Sequence, residues 1–363
     1  MFDHVARRAG SLQEVGVKPG DRVAQMSHHA IESVEWMFAC WWVGAVFCPL
    51  DIRWQNAELV DALQDCEAAV LLHDAAHAPV AEAVAPAVSS IACVLPVDLT
   101  ISAAPVADMC ASDDSLAALI YTGGTTGRSN GVCLTHGCIG AAALTRLADN
   151  SPLEDSGALL TTPNYHVAAL VRGMTHWAAG GTVVLMPQFR ADDAMGVIER
   201  ERVTDVSFVP TMLQMVLEHS QFRPERLRSV RRMGYGAAPS AQVLLQSAQT
   251  LLPWVGMQQH YGMTESCSIG TIRLSSGHRP EDWTSGRAGS AGRAAPAAEL
   301  RIIDGSGREV PVGQVGEIAL RGPFVSPGYW RCAEESRITF RDSWLYRCRS
   351  AGRERLRIYS RPN

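Results

Sequence analysis

The sequence predicts an α/β protein of doubly wound subdomains with a small β-rich part near its end. Three observations carry that reading. Short apolar runs alternate with helical patterns from Gly16 to Leu252, a long loop of Gly, Thr and Ser follows one of those runs, and Gly and Pro accumulate after Arg287. Alternating strand and helix imply parallel strands covered by helices.

The elements follow in order. Gly16 to Met26 is a turn leading into a strand, Ile31 to Val43 a buried helix, and Ala45 to Cys48 a strand. A helix from Asn56 to Asp65 precedes a strand from Ala69 to Leu72. Residues 75–114, rich in Ala, Val and Pro, read as a surface helix, a strand Ile91–Leu95 and a linker. The apolar run Leu116–Tyr121 is a buried strand. A helix follows from Gly137 to Leu147, with Thr135 as its N-cap. Further strands are expected at Ala158–Thr161, Thr182–Met186, Asp205–Val209, Ser229–Gly234 and Val255–His260. Between them lie an apolar helix ending at Ala179 and helices Asp192–Arg202, Thr211–His219 and Ser240–Leu252. Glu299–Ile303 and Gln314–Leu320, with a hairpin turn at Asp304–Gly307, read as strands of a small barrel.

The chain has 363 residues, 47% hydrophobic and 19% charged, which is enough for two or more globular domains. A net charge of -5 gives no basic field for nucleic acid. Asp3, Arg7 and Arg8 interrupt any signal-peptide pattern. The longest apolar stretch, Trp36 to Leu50, is too short to span a membrane and contains Gly44 and Pro49. Ten cysteines occur without a C-x-x-C pair, as expected for reduced thiols in a cytoplasmic protein. His28 and His29 form a pair, but a metal site needs further ligands and the nearby sequence shows none, so a solvated or capping role is expected.

The stretch Tyr121 to His136, YTGGTTGRSNGVCLTH, organises the rest. A loop from Thr122 to Gly131 is longer than a turn requires. Its glycines let backbone N–H groups approach phosphate oxygens, and Thr122, Thr125 and Thr126 add hydroxyl donors. The expected setting is a strand-to-helix connection. A Walker loop does not fit, since no Lys follows the closing Gly. Two later segments also carry chemistry. Pro163-Asn164-Tyr165-His166 places a histidine before a helix, which on residue type alone reads as a satisfied helix-start histidine. Tyr261-Gly262-Met263-Thr264-Glu265-Ser266 offers an aromatic face to a purine, a hydroxyl to a phosphate and a hard oxygen to Mg²⁺; its plain alternative is a capped loop.

These segments resemble the adenylate-forming superfamily, which includes acyl-CoA synthetases and aryl-CoA ligases. The first is similar to YTSGTTGxPKGV, the second to PxFHxxG, and the third to YGxTE, in the same order. Gly234-Tyr-Gly-Ala-Ala-Pro239 resembles the GGAPL-type segment, and GREVPVGQVGEIALRGPFVSPGYW resembles VPxGExGEIxxRGPxVxxGYW. The resemblance implies a nucleotide site at Thr122, Gly123, Gly124, Thr125, Thr126, Gly127, Gly236, Ala237, Ala238, His260, Tyr261, Gly262, Met263 and Thr264. It implies catalytic roles for His166, Thr264 and Glu265, with Glu265 holding Mg²⁺. The implied reaction joins a small carboxylic acid to ATP as an acyl-adenylate, after which CoA displaces AMP. The acid pocket would lie near His166, Tyr235, Gly236 and Met263. Amino-acid-activating relatives usually carry an Asp near this histidine, and here the position is not acidic, which favours an acyl or aryl acid.

The sequence also departs from the family. Ser129 stands at its Pro and Asn130 at its Lys, so a cation beside the phosphates is replaced by a neutral amide. The usual opening elements are expected to be reduced to Met1–Gly10. After Leu345 the resemblance stops, Arg349 falls at the ribose-binding Asp, and the C-terminal domain with its catalytic Lys is expected to be absent. A one-base shift in codons chosen for Ala351 to Pro362 yields RDENGYEYIVDR, the family's text, so a frameshifted tail is expected. The expected organisation is a nucleotide-binding core at 1–286, a β-rich subdomain at 287–345 and a disordered tail at 346–363. A truncated, weak or inactive synthetase is the expected function, and a catalytically dead nucleotide- or acyl-binding remnant the alternative.

Overall fold

A computed structural model describes residues 1–122, 129–150, 155–284 and 289–346, with the backbone of Arg357–Ile358. The chain divides into two compact units. The first holds Met1–Ile139, Pro163–Val167 and Ser326–Arg337; the second holds Gly140–Thr162, Ala168–Val325 and Ile338–Asn363.

The first unit begins with helix α1 (Phe2–Glu14), where the sequence suggested only a remnant. Val5, Ala6, Ala9 and Leu12 recur at helical spacing and are buried, which gives the segment its apolar face. Then follow β1 (Arg22–Met26), α2 (Ile31–Trp42), β2 (Val46–Pro49), α3 (Asn56–Asp65), β3 (Ala68–His73), α4 (Ala78–Val84), β4 (Cys93–Pro96), β5 (Leu116–Thr122) and β6 (Asn130–Thr135). Their sheet runs β4-β3-β1-β2-β5-β6. β1 to β5 pair in parallel, and β2 is buried along its whole length, as strands covered on both faces are. Leu59, Ala62 and Leu63 of α3 and Ala81 and Val84 of α4 close one core. Between α1 and α2, Arg8 donates to Glu35 at 2.9 Å, and both side chains are buried. Arg8 and Trp36 also donate to the Val97 carbonyl, so the expected linker is tied down at its start.

β6 corrects the sequence reading. The Gly-Thr loop does not join a strand to a helix. It joins two antiparallel strands, with Leu116 opposite Thr135 and Thr122 opposite Asn130. Val132 and Leu134 are fully buried, and that alternation makes the segment a strand. The helix α5 (His136–Asn150) starts only afterwards, with the Cys138 N–H donating to the expected cap, Thr135 Oγ1, at 3.1 Å.

The second unit contains β7 (Gly157–Leu160), α6 (Val167–Ala178), β8 (Thr182–Leu185), α7 (Ala191–Arg200), β9 (Asp205–Phe208), α8 (Pro210–Leu217), β10 (Arg232–Gly236), α9 (Gln242–Leu251) and β11 (Gly256–Tyr261). β12 (Thr271–Arg273), α10 (Pro280–Thr284), β13 (Ser290–Ala294), β14 (Glu299–Ile303) and β15 (Glu317–Arg321) follow; after α11 (Ala333–Thr339), most of which belongs to the first unit, come β16 (Phe340–Arg341), β17 (Trp344–Leu345) and β18 (Arg357–Ile358). The large sheet runs β18-β13-β12-β11-β10-β9-β7-β8.

Side-chain alternation gives the central strands two different faces. Val206, Phe208, Met233, Tyr235 and Met257 pack with α7, α8 and α9 in an apolar core. Asp205, Arg232, Gly234, Gln258 and His260 occupy the other face, beside residues of α5 and α6. Tyr235, expected near an acid pocket, therefore lies on the apolar face and not on the polar one. It is 1% exposed, with its hydroxyl on His278 Nε2 at 2.9 Å and bonded by Arg273.

The β-rich end is an open antiparallel sheet, β14-β15-β17-β16, rather than a closed barrel among the described residues. Its strands fall within the span 287–345. Nine described cysteines are free thiols. No described helix is long and apolar enough to cross a membrane.

Candidate active site

Each unit carries part of the predicted site, at the carboxyl ends of its parallel strands. In the first unit, Thr122 ends β5 and Asn130 begins β6 directly opposite it. Gly123, Gly124, Thr125, Thr126 and Gly127 lie outside the described residues. The hairpin stem is anchored. Tyr121 donates to Asp65 Oδ2, and Trp330 Nε1 donates to the Asp65 carbonyl at 3.0 Å. Gly131 is squeezed between them: a methyl group there would meet the Tyr121 ring at 3.2 Å and Trp330 Cβ at 3.4 Å.

His166 sits in the same unit, just before α6, on a turn closed by its own N–H to the Pro163 carbonyl at 3.1 Å. Its ring is 4.8 Å from that of Tyr165, whose other neighbour is the Arg53 guanidinium at 5.5 Å. Arg53 pairs with Asp51 at 2.6 Å. His166 is exposed, yet desolvation by the surrounding protein lowers its pKa, while the charge of Asp51 opposes that shift. An imidazole held neutral can accept or donate one hydrogen bond beside an anionic substrate. Asp51 and Arg53 were missed in the sequence. The available signal was their place just past β2, where ligands gather in open α/β sheets.

In the second unit, β10 and β11 run in parallel with Gly236 opposite His260. A Cβ at Gly236 would lie 2.2 Å from the His260 carbonyl oxygen, so only glycine permits this approach. Ala237 then takes φ +64°, and Ala238 follows on an exposed loop. Past β11, Gly262 presses on Ser268, where a Cβ would meet the carbonyl carbon at 2.4 Å. Thr264–Ser266 form a single 3₁₀ turn closed by Met263 N–H on Ser266 Oγ at 3.2 Å. Cys267 and Ser268 both have positive φ, 46° and 64°. Such strain concentrates at functional turns. Tyr261, Thr264 and Glu265 are partly exposed on this loop.

The structure gives His28, the first of the paired histidines, partners that the local sequence did not show. Asp74 Oδ2 accepts from His28 Nδ1 at 2.8 Å, and Asp74 Oδ1 meets His77 Nδ1 at 2.5 Å. The further ligand-type residues that the local sequence lacked are thus brought in by the loop after β3. Asp74 also accepts the backbone N–H groups of both histidines, so the cluster already has a capping role.

Residues 1–330 match the family of AMP-binding enzymes. The chain belongs to that family. It is 36% identical over 345 residues to a feruloyl-CoA synthase of an Amycolatopsis species, covering 94% of this chain and 68% of that relative. It is 31% identical to an indoleacetate–CoA ligase of Aromatoleum aromaticum, again covering 94% of this chain and 68% of the relative. Among solved structures, the inhibitor-bound N-terminal domain of FACL13 from Mycobacterium tuberculosis superposes with a TM-score of 0.87 at 27% identity, covering 95% of this chain and 87% of that one. ATP-bound MatB from Rhodopseudomonas palustris superposes with a TM-score of 0.84 at 27% identity, covering 95% of this chain and 69% of that one. This AMP-binding chain is thus homologous to acyl- and aryl-CoA ligases. Its fold is that of their N-terminal part.

Proposed function

We propose that the chain binds ATP and a carboxylic acid and promotes acyl-adenylate formation, the first half of AMP-forming CoA thioester synthesis. The observation that carries this reading is the order and setting of the three segments. Thr122–Gly131, Pro163–His166 and Tyr261–Ser266 each follow the carboxyl end of a sheet strand, in a chain that matches AMP-binding enzymes.

In this reading Tyr261 faces the adenine, and Gly236, Ala237 and Ala238 leave room for a flat ring. The loop at 123–127 cradles the phosphates. Glu265 offers a hard oxygen donor of the kind Mg²⁺ takes, and Thr264 a hydroxyl for a phosphate oxygen. The carboxylate attacks the α-phosphorus, the bond to the bridging oxygen breaks, and pyrophosphate leaves. Both reactants are anions, so the protein's task is to position them and disperse charge. His166 stands beside the acid. CoA would then displace AMP in the second half-reaction.

A second reading, a nucleotide-binding chain without catalysis, takes its support from Asn130, an amide where the family's cation stands. The test is pyrophosphate exchange with fatty and aromatic acids. Exchange above a no-acid control supports activation. ATP binding without exchange selects the second reading, and no ATP binding defeats both.

A further inference from the structure

β1 and β3 are neighbours in the first unit's sheet, with Met26 opposite His73 as their last pair. The residues that follow them therefore emerge side by side at the carboxyl end. His28 lies on the loop from β1 to α2, Asp74 leaves β3 directly, and His77 closes the 3₁₀ turn Ala75–His77. One ligand-type atom from each residue, two imidazole nitrogens and a carboxylate oxygen in all, falls within 4.8 Å of the others. This is the one such group of three or more among the described residues.

Capping accounts for only part of this arrangement. Asp74 Oδ1 accepts the His77 N–H at 3.0 Å and caps the turn, and Oδ2 accepts the His28 N–H at 2.8 Å. Those two bonds hold the carboxylate by both loops and leave each oxygen a further lone pair. The rings take up what is left, with His77 Nδ1 on Oδ1 and His28 Nδ1 on Oδ2. Their centroids are 5.0 Å apart with the planes at 44°, so two imidazoles crowd one carboxylate. Hydrogen bonds from the surroundings orient a metal-binding carboxylate in the same manner. The side chains of His28, Asp74 and His77 keep 31%, 20% and 13% of their surface, which leaves an entry for an ion and a place for water. His73 turns its Nδ1 to the Asp74 carbonyl at 3.0 Å and supplies no fourth ligand through that atom.

We propose that His28, Asp74 and His77 bind a divalent transition ion, zinc in the first place, and that the ion ties the loop after β1 to the loop after β3. Two neutral imidazoles with one carboxylate suit zinc, cobalt or nickel, whereas Mg²⁺ and Ca²⁺ take sets of oxygens. Zinc sits about 2.0–2.2 Å from such atoms, which sets tetrahedral ligand atoms about 3.3 Å apart. The contacts of 2.8 Å and 2.5 Å thus open by about 0.5–0.8 Å, which small side-chain rotations supply. Each imidazole gives the metal its Nδ1 lone pair and carries its hydrogen on Nε2 instead, so a neutral ring loses no net proton. Three protein ligands leave one position for water. His28 and Asp74 stand 46 residues apart, so the ion adds a cross-link that the unfolded chain lacks and stabilises the fold. The site stands whether or not the chain activates an acid.

The test is calorimetric titration of the EDTA-treated full chain with zinc chloride, in excess Mg²⁺. One ion should bind per chain with a Kd of about 10 μM or below, and zinc should raise the thermal midpoint. Cobalt in its place should show the visible bands of a tetrahedral nitrogen and oxygen site. His28→Ala and His77→Ala should each weaken zinc at least about ten- to a hundred-fold, since even a supporting group costs that much. Cys110→Ser, which removes an exposed thiol, should change nothing. Circular dichroism confirms that each variant is folded, and the cobalt spectrum of the parent chain needs no variant. A Kd weaker than about 10 μM overturns the inference. So does zinc held at full affinity by both histidine variants, or a cobalt spectrum with thiolate charge-transfer bands, which would place the ion on cysteine.

Discussion

Tyr121 donates a 2.8 Å hydrogen bond to Asp65 Oδ2. The bond joins the last turn of α3 to the stem of the hairpin that carries the Gly-Thr loop. Tyr121 is 8% exposed, so its hydroxyl cannot turn to water instead. Tyr121→Phe should therefore cost about 1.5–3 kcal/mol, the range for a buried bond to a charged acceptor. Urea unfolding at constant m-value measures it, and a midpoint indistinguishable from that of the parent refutes the anchoring role.

Asn130 begins β6 opposite Thr122, at the mouth of the same loop. Restoring a cation there should favour the ligand with more phosphate charge. Asn130→Lys is expected to tighten ATP by about five-fold or more and AMP by less. Calorimetry with the two nucleotides decides it, and equal gains would remove Asn130 from the phosphate site.

Glu265 lies on the 3₁₀ turn after β11. Under the proposed function, Glu265→Gln keeps the shape and removes the charge that holds Mg²⁺. ATP affinity in magnesium should drop about ten-fold or more, while affinity in EDTA should hardly change. A variant whose ATP binding keeps its full magnesium dependence rules out this assignment.

His176 and His278 make stability depend on pH. Burial lowers each from 6.5 to about 4, with Arg172 adding to the effect at His176 and Arg273 at His278. The unfolded chain therefore binds more protons than the folded one between about pH 4 and 6.5. The stability these groups contribute is complete above pH 6.5 and is lost as pH falls toward 4, by at most roughly 3 kcal/mol for each. His176→Asn should flatten that slope in urea titrations from pH 4 to 7. An unchanged slope would place the pH dependence elsewhere.

Gly236 and Gly262 are predicted to tolerate no side chain. A Cβ at either site would collide with backbone, at 2.2 Å from His260 O and 2.4 Å from Ser268 C. Gly236→Ala and Gly262→Ala should each destabilise by about 2 kcal/mol or more, as strain at a fixed backbone does. Thermal unfolding gives the value, and a neutral substitution at either position would show that the strands can part.

Much of this fold is legible in the sequence because local pattern and tertiary environment agree. The helix Asn56–Asp65 is found with its expected bounds, its Leu59, Ala62 and Leu63 stripe turned to the core. β6 is hidden because the polar loop text runs into it, and only pairing with β5 makes Asn130–Thr135 a strand. Tyr235 is misread for a similar reason. Its neighbours Gly234 and Gly236 belong to the opposite face, and a one-residue difference in a strand exchanges pocket for core. The charged cluster on that opposite face has no local signature at all. Arg146, Arg172, Asp205, Arg232 and His260 come from five separate elements, and sheet register together with the packing of α5 and α6 brings them together.

The glycine contacts between β10 and β11 bear on how this chain can diversify. At Gly236 the neighbouring backbone fills the space of a side chain, so the frame around the nucleotide motif admits almost no inherited variation. Gly234, two residues earlier, has its nearest neighbours at 3.3 Å and 3.5 Å, both side-chain atoms, and a methyl group there needs only small adjustments. Descendants of this sequence can therefore vary the polar face of the sheet by a single step at Gly234 while the strands keep their spacing.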